Sequence, residues 1–265
     1  MSILKIENLN FSYSENVIFD DLSFSIEENS INAVVGTNSS GKTTFIKILS
    51  GILFSNNNIE LNNIKLNKKN IKEYSRLIGV CLFDNFLFED VISELVFSLE
   101  NLNFSNKEID ERLKDVCSLL DIKKLKNKKI SKLSEFDKVR VALASSVIHL
   151  PKVIFLDDIF EKLTYEEYIE ISKYLNKIVN QYNITILYTT NKLENCLCTN
   201  KVIFIDEGKI ILEGPIGEVL KHDNILAKNG LIVPTMIDLS LKLQFYGLVD
   251  EVIMDVEGLV DRLWQ

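Results

Sequence analysis

Short runs of consecutive apolar residues recur along the chain, without the alternation that marks a half-exposed strand. Continuous runs of this kind are typical of strands buried on both faces, as in a parallel sheet covered by helices. We therefore predict that they form a central sheet. The runs lie at residues 3–6, 31–35, 78–83, 153–156, 184–188 and 201–205.

Segments with the apolar spacing of helices lie between these runs, and strands alternating with helices indicate an α/β fold. The stretch between the third and fourth strands is mostly helical and too long for a simple crossover. It predicts an inserted helical subdomain at about 86–150. After Gly214-Pro215 the pattern changes, and residues 221–265 predict two further helices, with Pro234 suited to the first turn of one. The segments with helical spacing are 42–51, 106–122, 134–150 and 164–182.

Composition narrows the possible functions. The chain has 265 residues, 46% of them hydrophobic, which is enough for a sizeable core. Its net charge of −8 argues against nucleic-acid binding as the main role. The run KKLKNKK at 123–129 is a local exception, which we interpret as a solvated helix end or loop.

The chain shows no sign of a membrane segment. No apolar run approaches the roughly 18–20 residues that a membrane-spanning helix needs. The first residues, MSILKIENLNFSYS, also lack the basic and apolar blocks of a signal peptide. We expect an intracellular protein whose association with a membrane comes through partners only.

Residues 36–44, GTNSSGKTT, match the phosphate-loop pattern G-x-x-x-x-G-K-[ST] between a predicted strand and a predicted helix. Backbone N–H groups of such a loop surround phosphates, and the helix start adds partial positive charge. Lys42 is expected to reach the β- and γ-phosphates, and Thr43 to offer its hydroxyl to Mg²⁺. An ordinary glycine turn is the alternative. The predicted ATP-binding residues are Gly36, Thr37, Asn38, Ser39, Ser40, Gly41, Lys42, Thr43 and Thr44.

A second element supports nucleotide binding. VIFLDD at 153–158 places two carboxylates at the end of a predicted buried strand. Asp157 is the expected partner of Mg²⁺, through a water molecule. Asp158 stands where a general base or a water-positioning carboxylate would act, so it is a candidate catalytic residue.

In this order, the elements resemble the ATP-binding cassette (ABC) family. LSEFDKVRVALASSVIHLPKVIFLDD is similar to its signature helix and magnesium strand, and KVIFIDEGKIILEGPIGEVL to its last hairpin and helix. The resemblance covers residues 1–220 and implies a P-loop NTPase cassette with a mixed β-core. It also implies that Tyr13 stacks on adenine, although a core tyrosine remains the alternative.

Residues 221–265 resemble the C-terminal helices of the ATPase subunits of energy-coupling factor transporters. That resemblance implies a dimerising extension, a second ATPase subunit, transmembrane transporter subunits and a place on the cytoplasmic face of the cell membrane. Apolar residues at Leu239, Leu243 and Leu248 could equally pack against the cassette.

The signature LSGGQ of the family reads here Leu133-Ser134-Glu135-Phe136-Asp137. Ser134 could still act on the γ-phosphate held by a second subunit. Each added carboxylate would cost at most about 4 kcal/mol at ~4 Å from a phosphate charge, for an effective dielectric of ~20, because the side chains could rotate away. The same residues also resemble a capping box, which makes a sound helix start.

Further departures affect hydrolysis. Phe83 or Asp84 stands where the family has a glutamine, and Thr190 where it has a histidine. Asp158 replaces a glutamate with a side chain one methylene shorter. We expect a chain that binds MgATP, turns it over weakly or not at all, and pairs with a more intact cassette as a heterodimer. A non-hydrolysing ATP-binding scaffold is the alternative.

Overall fold

The computed structural model describes residues 1–54, 58–82, 86–250, 253 and 256–264. The strands are β1 (Ser2–Tyr13), β2 (Asn16–Glu27), β3 (Ile31–Val35), β4 (Asn58–Leu61), β5 (Ile64–Lys65), β6 (Ile78–Leu82), β7 (Val153–Asp157), β8 (Thr185–Thr190), β9 (Lys201–Asp206) and β10 (Lys209–Gly214). The α-helices are α1 (Lys42–Leu49), α2 (Ile71–Arg76), α3 (Val91–Asn101), α4 (Asn106–Leu119), α5 (Glu135–Val147), α6 (Tyr165–Tyr182), α7 (Ile216–Val219), α8 (Asp223–Lys228), α9 (Thr235–Phe245) and α10 (Val256–Leu263).

The central sheet has the order β10-β9-β3-β8-β7-β6 among the described residues. Its members from β9 to β6 pair in parallel, and β10 pairs antiparallel with β9. Every residue of β3, β7 and β8 is buried, which confirms the predicted burial on both faces. Parallel pairing brings the carboxyl ends of β3, β7 and β8 to one edge of the sheet.

A separate antiparallel sheet has the order β2-β1-β4-β5 within the described ranges. The hydrophobic pattern predicted only residues 3–6 of this sheet. In β2, buried Leu22, Phe24 and Ile26 alternate with exposed residues, a period-two signal that our reading of the sequence missed. Irregularities interrupt the pairing of β2 with β1 at several points.

Helix α1 lies between the two sheets and joins their cores. Phe45 on α1 packs its ring 5.8 Å from the ring of Phe19 and 5.7 Å from that of Phe24, both on β2. Its neighbours on α1 share a core cluster with Val34 and Phe155 of the central sheet. The opposite face of that sheet packs against α5 and α6. This layering holds the start of α1 at the carboxyl end of β3.

The long insertion between β6 and β7 is helical, as predicted. It contains α3, α4 and α5, and two 3₁₀ turns at Lys123–Leu125 and Ile130–Lys132 connect α4 to α5. Ser105 caps α4 in a capping box with Glu108, which satisfies N–H groups that the helix itself leaves unpaired.

The C-terminal part differs from the prediction of two helices, because the described residues form three short ones, α8, α9 and α10. A turn at Gly230, with φ of 75°, separates α8 from α9, and Pro234 directly precedes α9. Leu226 and Ile237 join the core, whereas Leu239 and Leu248 are exposed. In the described ranges, no helix is both long and apolar enough to cross a membrane.

A buried tyrosine joins the ends of two helices. Tyr74 on α2 is fully buried, and its hydroxyl donates to the carbonyl oxygen of Leu49 at 2.9 Å. That carbonyl ends α1, where helical partners run out. We predict that Tyr74→Phe lowers the free energy of unfolding by about 1–3 kcal/mol, because a buried acceptor loses its donor. Urea denaturation checks this value. Tyr165→Phe, at a tyrosine that is 51% exposed, should leave stability unchanged.

Candidate functional site

The loop from Gly36 to Gly41 joins the carboxyl end of β3 to α1. A Cβ on Gly36 would lie 2.5 Å from the carbonyl oxygen of Ile205 on β9. At Gly41, where φ is +92°, a Cβ would lie 2.7 Å from Cγ2 of Ile18 on β2. Both glycines are therefore required by close contacts, and the loop is pressed between β9 and β2.

Lys42 anchors the loop from beneath. Its side chain is buried, and Nζ donates to the carbonyl oxygens of Gly36 and Thr37, each at 2.9 Å. Burial lowers the pKa of Lys42, and the carboxylates of Asp158 and Asp157 oppose that shift. A buried cation close to a ring of backbone groups favours an anionic ligand such as phosphate.

One further buried polar atom supports this assignment. Ser40 is buried, and within the described residues its Oγ has no hydrogen-bond partner. An unpaired buried hydroxyl is costly unless a ligand or water engages it. Thr43 is exposed and Thr44 half-buried at the start of α1. The loop therefore fits a polyphosphate.

A cleft of about 380 Å³ lies beside the loop. Tyr13 ends β1 near the turn into β2, is 46% exposed and packs edge-on against Phe11 with ring centroids 5.0 Å apart. It is therefore a surface residue and not the core tyrosine of the alternative interpretation. The cleft is lined by Asn16, Val17, Ile18, Thr37, Asn38, Ser39, Ser40, Asp206, Glu207 and Gly208.

Asp157 ends β7 and Asp158 follows it, and a threonine that the sequence did not indicate orients the carboxylate of Asp157. Thr189 on β8 donates from Oγ1 to Oδ1 of Asp157 at 2.7 Å. The same Oγ1 accepts from the N–H of Asp158 at 3.0 Å. Asp157 is buried and held in one orientation, as an outer partner of a hydrated cation must be. Only the parallel pairing of β7 with β8 brings this threonine into place.

Asp158 lies just beyond the strand with a left-handed backbone, at φ of 53°. Burial raises the pKa of its carboxyl, and the ammonium of Lys42 opposes that shift. Glu161 and Asp157 raise the pKa further. Any step in which Asp158 accepts a proton therefore weakens as the pH falls through this raised pKa, above the range of an ordinary aspartate.

The acids at the start of α5 are paired with cations. Ser134 caps the helix, with Oγ accepting from the N–H of Asp137 at 3.1 Å. The carboxylate of Glu135 lies 2.7 Å from Nζ of Lys138 and 3.5 Å from Nζ of Lys162. Asp137 pairs with Arg140. The repulsion between these acids and a phosphate is therefore smaller than the upper value expected from the sequence, because both acids are paired with cations.

Thr190 is the residue that we expected at the histidine position of the family. Thr190 is buried at the end of β8, and its hydroxyl accepts from Nδ2 of Asn195 at 3.1 Å. Asn191 instead reaches the phosphate loop, where its Nδ2 donates to Oδ1 of Asn38 at 3.2 Å. Strand β8 ends at Thr190, two residues later than its apolar run, so Asn191 is the first residue after the strand. Phe83 and Asp84, at the glutamine position, lie outside the described residues.

Comparisons with known proteins agree with this geometry. The sequence model of the ABC transporter family matches residues 19–161. The energy-coupling factor transporter ATP-binding protein EcfA of Aster yellows witches'-broom phytoplasma (strain AYWB) is 32% identical over 274 residues, covering 99% of this chain and 98% of that protein. EcfA1 of Leuconostoc mesenteroides subsp. mesenteroides is 29% identical, over 91% of this chain and 90% of that protein.

A solved structure is similar in fold and sequence. The structure of cbiO1 from Clostridium perfringens, described as part of the ABC transporter complex cbiONQ, has a TM-score of 0.77 and 28% identity. The match covers 86% of this chain and 94% of that one. This likeness agrees with the mixed sheet and the helical insertion described above.

The orientation of Asp157 by Thr189 can be tested directly. Thr189→Val removes the hydroxyl and keeps the shape, so Asp157 loses a hydrogen bond that fixes its carboxylate. We expect the affinity for ATP in the presence of Mg²⁺ to fall roughly tenfold or more, the usual effect of losing an outer partner of a metal site. Fluorescence titration with and without Mg²⁺ measures this effect.

Thr185→Val is the matched control for this prediction. Thr185 is also buried on β8, but its Oγ1 accepts from the backbone N–H of Asn29, at the opposite end of the strand from the site. This variant should keep the affinity for MgATP. An equal loss in both variants would mean that β8 itself, and not the position of Asp157, was disturbed.

Proposed function

The chain belongs to the ABC transporter family of ATP-binding proteins, and on that premise we propose that it is the ATP-binding subunit of an energy-coupling factor importer. Similarity to the EcfA proteins over almost the whole chain supports this proposal. The subunit would lie peripherally on the cytoplasmic face of the cell membrane. It would associate with transmembrane transporter subunits and with a second ATPase subunit.

The observation that carries the ATP-binding part of the proposal is the buried ammonium of Lys42, which donates to the loop carbonyls and interacts electrostatically with Asp157 and Asp158. In this chain, the residues that would hold ATP are 36–44, with Tyr13 against adenine. Thr43 and Asp157 would hold Mg²⁺, which would neutralise phosphate charge when bound. Lys42 would orient the phosphates, and the hydroxyl of Thr189 keeps Asp157 directed at the cation.

We further propose that the chain is the weaker half of a heterodimeric ATPase pair. Asp158 is shorter than the glutamate that usually follows the magnesium aspartate, and a displacement of about 1 Å at a water-positioning group can cost roughly a hundredfold in rate. The hydroxyl of Thr190, expected at the histidine position, is engaged by Asn195, so Asn191 would be the side chain that acts beside the loop. Ser134, at the start of α5, would act in trans on ATP bound to the partner.

The paired acids at α5 favour a second candidate, a non-hydrolysing ATP-binding scaffold. Glu135 is already engaged by Lys138 and Lys162, so the helix start is stable without a phosphate. Such a subunit would bind ATP to hold the complex together. Hydrolysis in a single turnover at the chain's own site would exclude it.

The C-terminal extension is proposed as a surface for pairing with the second ATPase. Domain boundaries at 1–220 for the cassette and 221–265 for the extension remain a prediction. Phe245 is 84% exposed, Tyr246 is 74% exposed, and Trp264 is 82% exposed. Large apolar side chains at such exposure are typical of a surface that another chain covers.

A second apolar surface is proposed to receive a transmembrane subunit. Phe86 is partly buried against the core, whereas its neighbours Leu87 and Phe88 are exposed. Leu87 is 69% exposed, and the exposed rings of Phe88 and Phe97 lie 5.2 Å apart. We name Leu87, Phe88 and Phe97 the aromatic patch.

ATP turnover by the native complex tests whether this chain is the weaker half of the ATPase pair. With Asp158→Asn in this chain alone, we expect turnover to stay within about twofold of wild type, since hydrolysis would occur at the partner's site. Lys42→Ala serves as the control that nucleotide binding by this chain still matters to the complex. A fall of tenfold or more with Asp158→Asn would show that Asp158 is the catalytic carboxylate and that the proposed weakness is wrong.

Charge on the aromatic patch tests the membrane partner. Phe88→Asp should release the transmembrane subunit from the affinity-purified complex, because a carboxylate would be buried against apolar side chains. Binding of ATP should be unchanged. Ile211→Asp on β10 is the matched control, since Ile211 and Phe88 are both 37% exposed. Retention of the transmembrane subunit by the Phe88 variant would remove the patch from this role.

A further inference from the structure

The lysine run, defined as the six lysines between Lys123 and Lys132, is not used by the proposed ATPase site. Six of the chain's 30 basic residues fall within these ten positions, in a protein of net charge −8. Such a concentration of one sign against an acidic background creates a strong local field. The residues are Lys123, Lys124, Lys126, Lys128, Lys129 and Lys132.

The run is held in a fixed conformation and is not a flexible tail. Apolar residues between the lysines are buried in the helical insertion: Ile122, Leu125, Ile130 and Leu133. The two 3₁₀ turns shape the backbone, and the backbone N–H of Lys128 donates to the carbonyl oxygen of Leu125 at 2.8 Å. Burial of the apolar positions leaves the lysine side chains on the outer surface, where all but the half-buried Lys126 are exposed.

Nearby acids do little to neutralise the run. In the described part of the chain, Glu89 is the carboxylate in ion-pair contact with it, 3.0 Å from Nζ of Lys129. Both side chains of that pair are mostly exposed, so the pair is weak. The carboxylate of Asp90 interacts electrostatically with Lys129 but also caps α3 by accepting from the N–H of Ser93. Asp121 lies 3.9 Å from Arg140. The run therefore keeps a large net positive charge.

The run adjoins the aromatic patch. The N–H of Ile130 donates to the carbonyl oxygen of Glu89 at 2.8 Å, and the N–H of Val91 to that of Lys128 at 3.2 Å. Phe88 precedes Glu89 directly, so the patch and the run lie on one side of the molecule. If the patch meets a transmembrane subunit, as proposed above, the run faces the bilayer around that subunit.

We propose that the lysine run binds anionic lipid headgroups of the cytoplasmic membrane leaflet directly. That the lysine run faces the bilayer rests on the proposed function, whereas its attraction to anionic headgroups does not. The run contains no arginine. Lysine ammonium groups are compact, hydrated charges that suit a diffuse layer of headgroups better than one bidentate partner. The acidic remainder of the chain is repelled by the same surface, so only this side approaches it.

Flotation of the full-length chain with vesicles tests the proposal without any partner protein. We expect binding to phosphatidylcholine vesicles containing about 30% phosphatidylglycerol at about 0.1 M salt, and release at about 0.5 M salt, where charges are screened. Replacing Lys123, Lys124 and Lys128 with Gln should lower binding at least tenfold, since each lysine near an anionic surface contributes roughly fivefold. Affinity for MgATP should not change in this variant.

The matched control removes three exposed lysines from other elements, Lys107, Lys173 and Lys228, by the same substitution to glutamine. It should keep its binding to vesicles. Equal binding to pure phosphatidylcholine, or equal loss in the control, would overturn the proposal. It would also be overturned if the wild-type chain ignored anionic vesicles while the triple variant lost the transmembrane subunit, because the run would then recognise protein. If the wild-type chain does not bind ATP, that result counts against the proposed function instead.

Discussion

A buried positive charge constrains the centre of this protein. Lys42 is almost inaccessible to water, yet its ammonium lies within a cage of loop carbonyls and close to the carboxylates of Asp157 and Asp158. A charge in such a place is tolerated only where several partners converge on it. Those partners come from the loop after β3 and from the end of β7. The parallel order of the sheet, the position of α1 and the close contacts of Gly36 and Gly41 all serve that convergence.

Charges are also paired within the protein at the start of α5. The family's signature has a glycine where this chain has Glu135 and a glutamine where it has Asp137, and isolated acids there would oppose a phosphate. The structure pairs Glu135 with Lys138 and Lys162, and Asp137 with Arg140. Lys162 belongs to the segment that follows Asp158, so this ion pair links the helix start to the loop beyond the magnesium strand. The substitutions stabilise the start of α5 through ion pairs and make it a poorer site for a phosphate.

Most of the central architecture could be predicted from the chain because continuous apolar runs define buried parallel strands. Of the antiparallel sheet, only residues 3–6 were predicted, although Leu22, Phe24 and Ile26 of β2 do alternate with exposed residues, because we searched for continuous apolar runs. The C-terminal part divided into three short helices because Gly230 adopts a left-handed conformation that no periodicity reveals. The phosphate loop was found complete because its glycines, lysine and threonine are contiguous in the sequence.

By itself, the sequence determined the α/β class, the phosphate loop, the two carboxylates after β7 and the family resemblance. Each of these depends on neighbouring residues or on local periodicity. Tertiary structure alone decided which distant side chains meet: Thr189 on Asp157, Asn191 on Asn38, and Lys162 on Glu135. These contacts join segments far apart in the chain, and their geometry follows from strand pairing and helix packing, which local patterns do not encode.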